Sequence, residues 1–246
     1  MVGCALMEGG VYRLSMHDRT SGRRLKHVEL GPGQDWLHAM AVDRAGERLA
    51  VGFRNLRKEQ GRLKARGSVV IFHLPTGRQM RSFPVSTPVR DLIFKDAAVY
   101  FTTEAQYIRR GNGGLKPRPG TAQVCELSVS RGIGHCVADH ADTVSSVLAL
   151  PDGQLATGSW DRTVRVRRSL SDTKSVVLRT RGHVNALAAD LGHVLAVATS
   201  HEVPHRNRKV VLREQRNEHR RTRSAGDTVE LWDFKMGVRM SSGQPH

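Results

Sequence analysis

Long apolar runs are missing from this 246-residue chain. No stretch approaches the roughly 18 consecutive apolar residues of a membrane-spanning helix, which argues against a helical membrane protein. The start, Met1-Val2-Gly3-Cys4-Ala5-Leu6-Met7-Glu8, has neither the basic region nor the apolar core of a secretion signal. Aromatic residues are scarce at 5 %, too few for a surface that stacks nucleic-acid bases one after another. Three cysteines occur, Cys4, Cys125 and Cys136. They are expected to form neither a metal-type pair nor an even disulfide framework, which points to a reducing compartment. The expectation is an intracellular protein, cytoplasmic or nuclear.

Acidic charge is also short: 23 Asp+Glu stand against 39 Lys+Arg, a formal net charge of +16. Most of the excess sits in three polar insertions. Residues 54–67 carry Arg54, Arg57, Lys58, Arg62, Lys64 and Arg66 against Glu59, a net +5. Residues 104–120 carry Arg109, Arg110, Lys116 and Arg118 against Glu104, a net +3. Residues 200–226 carry Arg206, Arg208, Lys209, Arg213, Arg216, Arg220, Arg221 and Arg223 against Glu202, Glu214 and Glu218, a net +5.

A short segment recurs three times, as Leu49-Ala50-Val51-Gly52-Phe53, Leu155-Ala156-Thr157-Gly158-Ser159 and Leu195-Ala196-Val197-Ala198-Thr199. A turn precedes each copy (Arg44-Ala45-Gly46-Glu47, Pro151-Asp152-Gly153, Leu191-Gly192-His193), and a small-apolar stretch precedes each turn. A β-branched alternating segment follows, at Ser68–Phe72, Thr163–Val166 and Thr228–Trp232. Strand, turn, strand, strand, turn, strand is the pattern of a four-stranded hairpin meander repeated along the chain.

On these residues the chain resembles the WD-repeat β-propeller family. The unit running from His140-Ala141-Asp142-Thr143-Val144 through Pro151-Asp152-Gly153 to Gly158-Ser159-Trp160-Asp161-Arg162-Thr163-Val164 is similar to that family's repeat. A later unit has the Gly182-His183 opening and the closing Trp232-Asp233. The resemblance implies an all-β propeller of four-stranded antiparallel blades, with blades at 35–83, 84–138, 139–180 and 181–240 and a partial blade at 1–34. It also implies a structural role for His140, Ser159, Asp161, His183, Trp232 and Asp233. The family's hydrogen-bonded network is incomplete here: Arg167 stands where a Trp is expected, and Gly226 where an Asp is expected.

Setting aside 58 insertion residues leaves 188, which at roughly 40 residues per blade is about 4.7 blades, whereas this family usually closes at seven. The chain is therefore expected to be an incomplete propeller, part of a larger ring, with an irregular five-bladed ring as the alternative. Strands in a blade alternate in direction, so the link between second and third strands emerges at the same end as the link to the next blade. All three basic insertions fall at that link, after Phe53, Thr103 and Thr199, and are expected to share one face. Such a face attracts an acidic protein or a phosphate backbone.

Enzymatic sites do not survive inspection. His201-Glu202-Val203-Pro204-His205 spells a zinc-hydrolase pattern, with His219 as a conceivable third ligand. That chemistry needs both histidines one turn apart on a helix, and Pro204 opposes the helix. Gly111-Asn112-Gly113-Gly114 has no following Gly-Lys-Ser/Thr and reads as a loop tip. No catalytic residue, metal site, cofactor or small-molecule substrate is expected. The expected function is a non-catalytic interaction scaffold for proteins, with an acidic protein or RNA on the basic face. One alternative is an RNA-associated scaffold in ribosome assembly or RNA processing. A second is a substrate receptor of a cullin–RING ubiquitin ligase, because Val229–Lys235 resembles the end of the box found in those receptors, Trp-Asp-x-Arg/Lys.

Overall fold

The computed structural model describes residues 2–8, 11–17, 20–32, 36–59, 61–111, 113–190, 193–200, 228–234 and 237–243. Among them there is no helix; the ordered elements are β-strands. Two compact units are present, Met1–Val147 and Leu148–His246.

The first unit opens with β1 (Val2–Glu8), β2 (Val11–His17) and β3 (Arg24–Pro32), a three-stranded meander. Next come β4 (Trp36–Val42), β5 (Arg48–Glu59), β6 (Arg62–His73) and β7 (Arg78–Val85), paired in that order as one antiparallel sheet. The third sheet is made by β8 (Val89–Lys95), β9 (Ala98–Thr103), β12 (Val124–Ser128) and β13 (Gly132–Val137). Between its second and third strands stands a small separate hairpin, β10 (Tyr107–Arg109) with β11 (Leu115–Pro117). β14 (Val144–Ala149), β15 (Leu155–Ser159), β16 (Thr163–Arg167) and β17 (Val176–Arg179) form a further four-stranded sheet. The last comprises β18 (His183–Ala189), β19 (Val194–Ser200), β20 (Thr228–Asp233) and β21 (Val238–Gly243).

The turns form where sequence chemistry permits them. Gly153 closes the Pro-Asp-Gly turn at φ 82° and Gly46 closes its counterpart at φ 72°, a region that residues with a Cβ enter only at a cost. Asp43 then pins the β4–β5 turn: its carboxylate accepts from the backbone N–H of Glu47 at 2.8 Å and from Arg48 Nε at 2.7 Å.

The middle strands are the most buried. Leu155, Ala156, Thr157 and Ser159 are each 0 % exposed, because a middle strand lies between two others in its sheet and, here, under β18 of the next sheet. The repeated Gly explains how adjacent sheets close. A Cβ on Gly52 would stand 2.5 Å from Val89 Cγ1 of β8, and one on Gly158 would stand 2.4 Å from Val184 Cγ1 of β18. Glycine at these positions lets the first strand of the following sheet lie directly on the second strand of the preceding one. Ala50, Val69, Ile71, Val89, Leu92, Phe101 and Leu127 make the resulting core in the first unit. Ala156, Val164, Val184, Leu195, Val197, Trp232 and Phe234 make that of the second.

An irregularity recurs in the first strands. The β4–β5 register shifts between Leu37 and Ala39, β8–β9 between Val89 and Asp91, and β18–β19 between Val184 and Ala186. Each shift is a one-residue bulge near the start of its strand, at His38, Arg90 and Asn185, and such bulges sharpen local twist.

The cysteine expectation is corrected. Cys125 and Cys136 face each other across β12 and β13 and are joined by a disulfide. The spacing of eleven residues spans a tight hairpin, so strand pairing brings the two thiols together, and the inference from unpaired cysteines to a reducing compartment loses its premise.

Candidate functional site

The insertion at 54–67 is not a loose loop. β5 and β6 keep pairing through it, with Arg54 opposite Gly67, Asn55 opposite Arg66, Leu56 opposite Ala65, Arg57 opposite Lys64 and Glu59 opposite Arg62. Alternation along this ribbon sorts its residues. Asn55 turns inward, where its Nδ2 donates to Ser68 Oγ at 3.4 Å, while Leu56, Arg57 and Lys58 are exposed. Glu59 gathers two cations: Arg66 donates through Nε and Nη2 at 2.9 Å each, and Lys64 Nζ lies 3.0 Å away. These donors hold the Glu59 carboxyl well below its usual range, at about 2. Arg66 also reaches the carbonyl of Ser86 at 3.2 Å.

The insertion at 104–120 is anchored at its base and paired in its middle. Tyr107 lies opposite Pro117 and Arg109 opposite Leu115. Arg109, Arg110, Lys116 and Arg118 are exposed along it. Tyr107 Oη donates to Asp142 at 2.6 Å, and burial together with that carboxylate pushes the phenol upward from its ordinary value. Ala105 N–H donates to Thr143 Oγ1 at 3.0 Å, which ties the root of the hairpin to the segment before β14.

These two hairpins of the first unit flank a cleft of about 600 Å³ lined by Arg54, Lys64, Arg66, Glu104, Tyr107 and Arg118, among others. Glu104 is shared between two cations, Arg54 at 3.5 Å and Arg90 at 3.4 Å. The Arg54 guanidinium also covers the ring of Trp36 at 5.1 Å, and its buried Nε has no hydrogen-bond partner among the described residues. Beside them His38 Nδ1 donates to the Val89 carbonyl at 3.0 Å, and burial pushes its imidazole down. Exposed apolar side chains stand among the charges: Leu56, Tyr107, Ile108 and Leu115.

Trp36, His38 and Arg90 are members of this site that sequence reasoning did not single out, and Glu104 entered it only as a charge to be subtracted. Counting back from the β4–β5 turn without a bulge would put Trp36 opposite Asn55; the bulge at His38 moves it opposite Arg54. The third insertion, with Arg206, Arg208, Lys209, Arg213, Arg216, Arg220, Arg221 and Arg223, lies outside the described residues, as do the His201–His205 motif and His219. Its flanks are placed: β19 ends at Ser200 and β20 begins at Thr228, the second and third strands of their sheet.

The residues assigned structural roles sit as follows. His140, Ser159 and Trp232 are buried. Ser159 Oγ accepts from Asp161 N–H at 3.0 Å, and Asp161 accepts from both N–H and Oγ1 of Thr163, at 2.9 and 2.6 Å, closing the β15–β16 turn. His183 Nδ1 donates to the carbonyl of Trp160. Asp233 lies 3.5 Å from His193 Nε2. Arg167, at the expected Trp position, is buried at 3 % exposed. Within the Trp-Asp segment, Glu230, Trp232 and Phe234 are all buried, and Glu230 accepts from the N–H of Arg181 at 2.9 Å. Lys235 lies outside the described residues. Among the described residues no group of three or more His, Cys, Asp or Glu side chains is placed to hold a metal ion.

No family model matches the sequence, and no curated protein does either. Solved structures do. A chain of the mitotic checkpoint complex superposes over 98 % of this protein with a TM-score of 0.64 at 15 % identity, and the structure of U3-55K over 96 % with a TM-score of 0.63 at 15 % identity. The protein spans 62 % and 61 % of the length of those two chains. Both are WD-repeat β-propellers. The fold is accordingly that of the propellers, all-β and built from four-stranded antiparallel sheets, of which this chain holds an incomplete set.

Proposed function

We propose that this chain is a non-catalytic scaffold for protein interaction, and that its insertion-bearing side is where a partner docks. One observation carries the reading. Two of the basic insertions expected to share one face are paired hairpins, rooted in the core and standing on either side of one cleft with four cations in its lining. Ordering a hairpin costs roughly 1–2 kcal/mol per residue in backbone entropy, so a paired hairpin offers a partner a surface whose ordering is already complete. The propeller neighbours include a component of a protein complex, and that setting comes to this chain as part of the proposal. The third insertion enters the proposal through topology alone, because it too links the second and third strands of its sheet.

The test is an affinity pull-down of the full-length protein with and without RNase, beside a variant lacking residues 201–225. Protein partners that persist through RNase treatment are the expected result. Recovery of RNA and of RNase-sensitive proteins alone overturns the reading in favour of an RNA-associated scaffold.

A further inference from the structure

We infer that the cleft between the two hairpins of the first unit docks an extended, carboxylate-bearing segment of a partner protein. The inference rests on the scaffold reading and adds to it the place and the chemistry.

The cleft has cations whose capacity is not used up. Arg54 offers five donors, yet among the described residues its carboxylate partner is Glu104 alone, at 3.5 Å and shared with Arg90. Arg118, on the opposite hairpin, makes no side-chain hydrogen bond or ion pair among the described residues and is exposed. Lys64 shares Glu59 with Arg66 and is half-exposed. Four cations thus line the cleft against Glu104, while the volume of about 600 Å³ lies within the range of roughly 300–1,000 Å³ seen for binding clefts. An extended segment places every second side chain on one face, which suits cations offered from two walls.

The arrangement favours a peptide over RNA for two reasons. The exposed indole of Trp36 lies against Arg54, and one face of it is already covered by that guanidinium. Tyr107 is tied by its hydroxyl to Asp142. Base stacking, which carries most sequence-tolerant RNA binding, therefore has little free surface here. Further, Glu59, Glu104 and Asp142 are interleaved with the cations, and fixed carboxylates repel a continuous line of phosphates more than they repel carboxylates that alternate with apolar side chains. Ala65, Pro88 and Ala105 in the cleft lining supply contacts for those apolar side chains.

Fluorescence anisotropy with the full-length protein tests this directly. The probes are a labelled decapeptide of alternating Glu and Leu, its Gln-for-Glu counterpart, and a labelled deca-uridylate, at an ionic strength of about 50 mM where surface charge is weakly screened. The Glu peptide is expected to bind at least about tenfold tighter than either comparison probe, a difference of about 1.4 kcal/mol. Arg118→Glu, an exposed change that leaves the core untouched, is expected to weaken it by about tenfold, and Arg54→Gln by at least as much. Equal binding of the Glu and Gln peptides, tighter binding of deca-uridylate, no binding of the Glu peptide, or indifference to Arg118→Glu each overturns the inference. Protein partners that still co-purify with the Arg118→Glu variant after such a result would leave the scaffold reading standing and remove only the cleft.

Discussion

Replacing Gly158 by alanine probes how neighbouring sheets are allowed to meet. A Cβ there would lie 2.4 Å from Cγ1 and 3.2 Å from Cβ of Val184, and 3.4 Å from Leu187 Cδ1. The first distance is more than an ångström inside the roughly 3.5–4.0 Å optimum for carbon pairs. Val184 is 0 % exposed and branched at Cβ, so it has no free rotamer into which to retreat. Over-packing of this kind costs about 1–3 kcal/mol, offset by about 0.4–1 kcal/mol because alanine narrows the unfolded chain. A net loss of about 1–2 kcal/mol is expected. Val184→Ala alone removes two methyl groups from the core and costs about 2 kcal/mol. In the double variant the new methyl occupies space that Val184 has vacated, so its cost should fall short of the sum by at least about 1 kcal/mol. Guanidinium unfolding in a Trp36→Phe background reads this out, because Trp160 and Trp232 both lie in the second unit. Strict additivity in the double variant would refute the reasoning, since two residues in van der Waals conflict cannot act independently.

Three further outcomes are expected. An NMR titration should place the Glu59 midpoint near 2. The pairing is complete above the ordinary carboxyl value and is lost as pH falls through about 2, and Lys64→Met with Arg66→Met should return the midpoint to the ordinary range. Alkylation of the denatured, unreduced protein should leave Cys125 and Cys136 unmodified, and Cys136→Ser should destabilise the first unit by up to about 3 kcal/mol for a closed loop of this length, read as a lowered denaturation midpoint. Asp91 accepts from Val147 N–H and Leu92 N–H at 2.9 Å each, and burial raises its carboxyl. Asp91→Ala should therefore cost about 1–3 kcal/mol by stranding both donors. Asp91→Asn should cost less, and its relative stability should improve as pH rises above the ordinary carboxyl value, where the native side chain must ionise in a buried setting.

The strand meander was legible because it is written in local chemistry. Alternation at period two, Gly where φ turns positive and Pro-Asp-Gly turns act over a few residues, so Val11–His17 or Thr163–Arg167 can be marked from the chain alone. The second copy of the repeat shows the limit of such reading. Gly52 and Gly158 are visible as recurring, but the reason for them, a valine of the next sheet lying where a Cβ would be, is a contact across 37 residues in one case and 26 in the other. Ala198, at the corresponding place in the third copy, is only half-buried, and the side chain is tolerated there.

The position of the basic charge along the chain, between second and third strands, follows from the sequence by itself, since strand order needs only the turns that separate the strands. What the charge can do was decided by tertiary structure. Whether an insertion is a loop or a paired ribbon depends on the register carried into it from the sheet, and the β5–β6 register runs unbroken to Glu59 opposite Arg62. A bulge at His38 sets Trp36 under Arg54, and sheet packing brings Glu104 of one insertion to Arg54 of the other. Cys125 and Cys136 became a disulfide for the same reason: spacing leaves pairing open, and only the hairpin register brings the two thiols face to face. Local chemistry determined the strands and the inventory of charge; contacts between residues distant in sequence determined which charges are neutralised, which remain available, and what they surround.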